Sequence, residues 1–231
     1  MAVTVYKPEW GVNRPIRGVL FDMDGLVLDS EILYTRFWQE AVRYFGQEMT
    51  WEQGLCMRGL GKQAAKDMFR KFYGDKLDHP TVRDKRIELM EAYVNEHGVA
   101  CKPGIFELLD YLDSRGISAA ITSSSPIARI QKYLAWHNLD TRFAALCSGR
   151  DVPKGKPDPD IYLYGAAALK LRPEECLALE DAPAGIESAY RAGCLPVMIP
   201  DQDQPNKETQ NILYAKADNL ADIIQLLESL K

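Results

Sequence analysis

Short apolar runs that stop at polar residues and then give way to helical periodicity recur along this chain, and no other feature restricts its fold as much. Ile16 to Phe21 stops at Asp22, Ile117 to Ile121 at Thr122 and Ser123, and Cys176 to Leu179 at Glu180 and Asp181. With Ala144 to Cys147 and Leu195 to Ile199 they form a set of short strands apolar on both faces, as parallel strands covered by helices are. Helical stripes separate them: Ile105, Leu108, Leu109 and Leu112 before Gly116, then Ile127, Ile130 and Leu134, then Ile186, Ala189 and Ala192 before Gly193. This alternation predicts a doubly wound α/β sheet. Ligands of such sheets bind beyond the carboxyl ends of the strands, where Asp22, Ser123, Glu180 and Asp181 all fall.

One stretch breaks the alternation. From about Glu31 to about His97 the sequence offers helical stripes and no good strand. Tyr34, Phe37, Trp38, Ala41, Val42 and Phe45 end at Gly46; Ala64, Ala65, Met68, Phe69 and Phe72 end at Gly74; Ile87, Met90 and Val94 mark a third helix. The α/β pattern resumes near Lys102-Pro103-Gly104. The expected organisation is therefore a Rossmann-like parallel-sheet core of residues 1–30 and 98–231 with an inserted all-helical cap domain, 31–97, placed as a lid over the strand ends. Asp29 or Ser30 is expected to cap its first helix.

The chain's 231 residues, 46% hydrophobic and 26% charged, suffice to bury a full core. A formal net charge of -5 argues against a nucleic-acid partner, because phosphate-backbone binding depends on clustered Lys and Arg. A small anionic ligand needs only a local positive field and stays compatible with that charge. The 5 cysteines are odd in number, widely spaced and never in a C-x-x-C arrangement, so neither a disulfide framework nor a zinc site is expected, and they read as reduced packing residues. No window approaches the ~20 apolar residues of a membrane span, and the first segment lacks an apolar signal core. Cytoplasmic residence is the expectation, with no membrane and no protein partner indicated. His79, His97 and His137 fall in no ligand spacing and are expected at the surface or at helix ends.

Four segments carry the chemistry. Asp22-Met23-Asp24 sets two carboxylates where an apolar strand enters a Gly-containing turn. Thr122-Ser123-Ser124-Ser125 supplies hydroxyls at a second strand end, Lys156 supplies a cation among Pro153, Gly155, Pro157 and Pro159, and Glu180-Asp181 supplies a second acidic pair. In this order and spacing they resemble the four motifs of the haloacid dehalogenase superfamily. The resemblance runs over nearly the whole chain from Arg17. The insertion is similar to the small helical cap of that family's β-phosphoglucomutase and pseudouridine 5′-phosphatase subgroup.

The resemblance implies a phosphomonoester hydrolase acting on a small phosphorylated metabolite, either a sugar phosphate or a nucleoside-type monophosphate. Asp22 matches the nucleophile that becomes an aspartyl-phosphate, and Asp24 the general acid and base. Ser123 and Lys156 match the groups that hold the phosphoryl oxygens, and Lys156 is further expected to lower the pKa of Asp22 and keep it ionised. Mg²⁺ is the implied cofactor, held by the carboxylates of Asp22 and Asp181 and the backbone carbonyl of Asp24, with Glu180 in or just behind its shell. In Arg58-Gly59-Leu60-Gly61-Lys62, Arg58 or Lys62 is expected to touch substrate. Dehalogenase and phosphonatase chemistry is disfavoured by the presence of Asp24. The enzymatic rival is a β-phosphoglucomutase-type mutase, but family mutases carry a His twelve positions after the nucleophile, where this chain has Tyr34. A receiver-like phospho-acceptor module also joins an Asp to a hydroxyl and a Lys, but it carries no large insertion after its first strand.

Overall fold

The computed structural model of the chain describes residues 3–58 and 62–230, with Lys62 described by its backbone alone. Its centre is a seven-stranded sheet. The strands are β1 (Val3–Val5), β2 (Gly18–Phe21), β3 (Ser118–Ser123), β4 (Ala145–Ser148), β5 (Cys176–Glu180), β6 (Leu195–Met198) and β7 (Ala215–Ala217). They lie in the order β1-β7-β6-β5-β2-β3-β4, and all pairs are parallel except β1 with β7. The central β2 pairs Phe21 with Ile121 of β3 and with Leu179 of β5, so these three strands reach their carboxyl ends abreast. Asp22, Thr122 and Glu180 consequently follow as lateral neighbours. The strands expected from the apolar runs are all present. The edge strand β1 and its neighbour β7 are additional to them, because three residues are too few to show a period.

The chain divides into two compact units, one running to Leu28 and from Ala100 onward, the other comprising Asp29–Val99. In the first unit the two crossing points lie side by side, with Leu28 bridged to Cys101 and the Lys102 amide donating to the Val27 carbonyl at 2.9 Å.

The second unit is helical: α1 (Glu31–Tyr44), α2 (Trp51–Leu55), α3 (Lys62–Tyr73) and α4 (His79–His97). Its core gathers Trp38, Ala41 and Val42 of α1 and Phe69 of α3, members of the stripes read from the sequence, with Tyr73 of α3 and Val82 of α4, which those stripes did not include. The short α2 escaped that reading, since five residues hold barely one turn. It is marked instead by a capping box in which Thr50 Oγ1 accepts from the Gln53 amide and Gln53 Oε1 accepts from the Thr50 amide. Two expectations need correction. Ser30 occupies the N-cap position of α1 as expected, but in helical conformation and without a side-chain cap bond, unlike Asp78 before α4, which accepts from the Thr81 amide. His79 begins α4 as a helix-end residue but is buried, stacked on Trp38 and edge-on to Phe69, because a neutral imidazole packs well among aromatic rings.

Six helices flank the sheet in sequence: α5 (Ile105–Arg115), α6 (Ile127–Ala135), α7 (Asp160–Ala168), α8 (Pro183–Ala192), α9 (Lys207–Asn211) and α10 (Asp222–Ser229). Ile161, Tyr162 and Ala166 of α7 pack with Leu20, Ala120 and Ala178 of the central strands. Small residues on β3 and β5 let α7 come close, and Gly165 closes the gap: a Cβ there would sit 2.5 Å from Thr122 Cγ2. Each fully buried Leu or Ile in this layer contributes about 1.5–3 kcal/mol. Cys147, Cys176 and Cys194 belong to the same core, whereas Cys56 is exposed. Among the described residues, no helix is long and apolar enough to cross a membrane.

Candidate active site

The Asp22 amide donates to the Leu179 carbonyl at 3.0 Å, continuing the β2–β5 ladder one residue beyond the strand, and the Asp22 side chain is buried. The chain then turns sharply. The Met23 carbonyl accepts from the amides of Val27 and Leu28, and Gly25, at φ 88°, donates to the Leu28 carbonyl at 2.8 Å. A side chain at Gly25 would be strained in this left-handed conformation. The turn carries Asp24, whose Oδ2 accepts from Ser125 Oγ at 2.9 Å. Ser125 is fixed in turn: its amide donates to Ser123 Oγ at 3.1 Å and its carbonyl accepts from Ser148 Oγ at 2.8 Å. Hydroxyls at the ends of β3 and β4 thus hold the second carboxylate.

Lys156 lies in the segment between β4 and α7, and its side chain reaches the strand ends. Its Nζ donates to Asp22 Oδ1 at 2.6 Å, to Glu180 Oε1 at 2.5 Å and to the Thr122 carbonyl at 3.1 Å. An ammonium has three N–H donors, and all are engaged. Glu180 Oε1 also accepts from the Tyr162 hydroxyl. On the far side of Glu180 stands Gly185, where an added Cβ would overlap the Glu180 carboxyl group. Asp181 is buried beside it, and one carboxylate oxygen from each of Asp22, Glu180 and Asp181 lies within 4.8 Å of the others.

Burial raises the Asp22 pKa; Lys156 opposes that shift, while Glu180 and Asp24 add to it. Burial works against the Lys156 ammonium, but Asp22 and Glu180 together outweigh it and keep the amine above its ordinary range. Lys156 thus lowers the Asp22 pKa as expected, but burial outweighs it, which corrects the expectation that Lys156 keeps Asp22 ionised: one ammonium among several buried carboxylates leaves a surplus of negative charge. Those oxygens and that surplus suit a hard divalent cation, which takes carboxylate and carbonyl ligands. Nitrogen and sulfur donors that would select a softer metal are absent from the group.

The structure brings Asp22, Asp24, Ser123, Lys156, Glu180 and Asp181 to one edge of the sheet. Sequence reasoning missed three partners there: Tyr162, Ser125 as the donor to Asp24, and Gly185. A phenol within the apolar stretch Asp160–Ala168 was the one available signal, since a buried hydroxyl needs a partner. In the helical unit, Arg58 Nε pairs with Glu31 Oε2 at 2.6 Å, tying the segment that follows α2 to the first turn of α1. The Lys62 side chain and Gly59 to Gly61 lie outside the described residues. Tyr34 has the Arg86 guanidinium 4.7 Å over its ring.

Residues 19–199 match the model of the haloacid dehalogenase-like hydrolases. Hexitol phosphatase A of Escherichia coli (strain K12) is 37% identical over 186 residues, covering 79% of this chain and 82% of that protein. A probable pseudouridine-5′-phosphatase of Drosophila melanogaster is 28% identical over 217 residues, 91% of this chain and 93% of that one. Of solved structures, a HAD family hydrolase from Deinococcus radiodurans R1 with bound phosphate and sodium superposes with a TM-score of 0.79 at 23% identity, over 94% of this chain and 97% of that one. A putative beta-phosphoglucomutase from Thermotoga maritima gives 0.77 at 24% identity, over 94% and 100%. At those identities the structures speak for the fold alone. The family match and the similarity to the Escherichia coli phosphatase go further, and by them this chain is an enzyme of the haloacid dehalogenase-like hydrolase family.

Proposed function

We propose that the protein hydrolyses phosphate monoesters of small polyols or sugars, with Asp22 as nucleophile and Asp24 as general acid and base. The observation that carries this reading is the pairing of a buried Asp22, 2.6 Å from Lys156 Nζ, with a second carboxylate two residues on that is held separately by Ser125. An Asp22 oxygen attacks phosphorus, the bond from phosphorus to the ester oxygen breaks, and Asp24 gives its proton to the departing alkoxide. Asp24 then takes a proton from water, whose oxygen attacks the aspartyl-phosphate and returns Asp22 with release of inorganic phosphate. Ser123 and Lys156 bind the phosphoryl oxygens, Lys156 sharing donors that Asp22 and Glu180 hold in the structure described here. Asp22, Asp181 and the Asp24 carbonyl would hold Mg²⁺, with Glu180 at its edge, and the ion would offset charge on the phosphoryl group. The helical unit serves as a cap that selects the leaving group, through Arg58 or Lys62 among others, and limits water at the site.

The substrate class rests on the 37% identity with hexitol phosphatase A, against 28% with the pseudouridine-type relative. The experiment is a phosphate-release screen over hexitol phosphates, aldose phosphates and nucleoside monophosphates, with Mg²⁺ and with excess chelator. Turnover of a polyol or sugar phosphate that chelator abolishes is expected. Metal-independent release, or release from nucleotides alone, would overturn the proposal.

A further inference from the structure

We infer that Tyr162 is a positioning residue: its hydroxyl holds Glu180, and through Glu180 it divides the Lys156 ammonium between Glu180 and Asp22. The inference rests on the reading of Asp22 as nucleophile and deepens it. Tyr162 stands on the first turn of α7, fully buried, with its ring 5.3 Å from Lys156 Nζ and its hydroxyl on Glu180 Oε1. That same oxygen accepts from Lys156 Nζ, which also reaches Asp22 Oδ1. One oxygen therefore receives two donors, and one ammonium serves two carboxylates.

Glu180 has little freedom to settle elsewhere. Its carboxyl group fills the space where a Gly185 side chain would be, and its carbonyl is tied to the Ile199 amide at 2.8 Å. Remove the phenol proton and the charge on Glu180 Oε1 falls to Lys156 alone. The ammonium is then drawn toward Glu180 and away from Asp22, where it is needed to offset charge during attack. The ring also matters, since its face lies against the ammonium. Phenylalanine would keep that contact and lose only the hydroxyl.

The test uses Tyr162→Phe, Glu180→Gln and the double variant of the full chain, with 4-nitrophenyl phosphate as probe and saturating Mg²⁺. Tyr162→Phe is expected to lower kcat about tenfold, or about 1.4 kcal/mol, with KM within about twofold and the melting temperature within a few degrees. In the Glu180→Gln background the same change should cost little further, because an amide oxygen does not compete for the ammonium as a carboxylate does. Unchanged kcat in Tyr162→Phe, or an equal loss in both backgrounds, overturns the inference. Should Tyr162→Phe fail to fold, ring-fluorinated tyrosines at 162 nearly keep the shape and strengthen the donor while weakening the ring face toward the ammonium, so a rise in kcat could come only from the hydroxyl. kcat should then rise with phenol acidity, and a flat series counts against the inference. Wild-type phosphate release and the response to Asp22→Asn judge the hydrolase reading independently: an active, Asp22-dependent enzyme indifferent to Tyr162 loses this inference only.

Discussion

At position 22 an amide would keep the size of the side chain and an oxygen for Lys156, yet it could not form an acyl-phosphate. Asp22→Asn is accordingly expected to fold normally and to lose at least about a thousandfold in kcat, about 4 kcal/mol. Phosphate release and a thermal melt on the same sample check this, and substantial residual turnover would remove Asp22 from its role. Gly185→Ala should act differently, because its methyl group would overlap the Glu180 carboxyl group. Displacing a carboxylate that Lys156 and Tyr162 both hold is expected to cost about 1–3 kcal/mol of stability and to lower turnover as well. A melt and kcat that both match wild type would show that Glu180 can move freely. The two sites also differ in how readily they could be read. Asp22, Ser123 and Glu180 stand where apolar runs end, and the end of a run is visible in one dimension. Tyr162 earns its place through a contact 18 residues along the chain, on a helix whose other buried members are apolar, and nothing in its neighbours' spacing announces it.

Among the elements, what sequence could show depended on length and on the number of buried faces. β2, β3 and β5 are continuous apolar runs because helices cover them on both sides, and α1 and α3 repeat their apolar residues over three turns or more. β1 and β7 are three residues each and pair antiparallel at one margin of the sheet, where the partner strand decides the conformation more than the sequence does. α5 gives a prediction of its own. Its N-cap is Gly104, at φ 88°, and a Cβ there would overlap the amide of Ala221 just before α10. Gly104→Ala combines a left-handed backbone with a clash against main chain, so a loss of about 2 kcal/mol or more is expected. Chemical denaturation would measure it, and a midpoint equal to wild type would mean that the α5–α10 junction relaxes at no cost. The effect should fall on stability, since α5 contributes no side chain to the candidate site.

Taken as a molecule, the enzyme joins a sheet whose edge carries the candidate site to a helical unit that enters between β2 and β3. On the proposed mechanism the carboxylates do not separate hydrolase from mutase, because either activity would pass through an aspartyl-phosphate. What separates them is how long that intermediate is kept from water. An imidazole on the first helix of the insertion can exchange protons with a sugar hydroxyl near neutral pH, whereas a phenol ordinarily titrates near pH 10. Here the position is Tyr34, on α1, with the Arg86 guanidinium over its ring. A phenol packed in that way is poorly suited to moving protons. Supplied with β-glucose 1-phosphate, glucose 1,6-bisphosphate and Mg²⁺, the enzyme is therefore expected to release inorganic phosphate without accumulating glucose 6-phosphate ahead of it. Both products are followed separately in one reaction. Rapid glucose 6-phosphate with little phosphate would make this chain a mutase. Tyr34→His gives the complementary measurement, in which the ratio of transfer to hydrolysis should rise if the proton-carrying ring is what the hydrolase lacks.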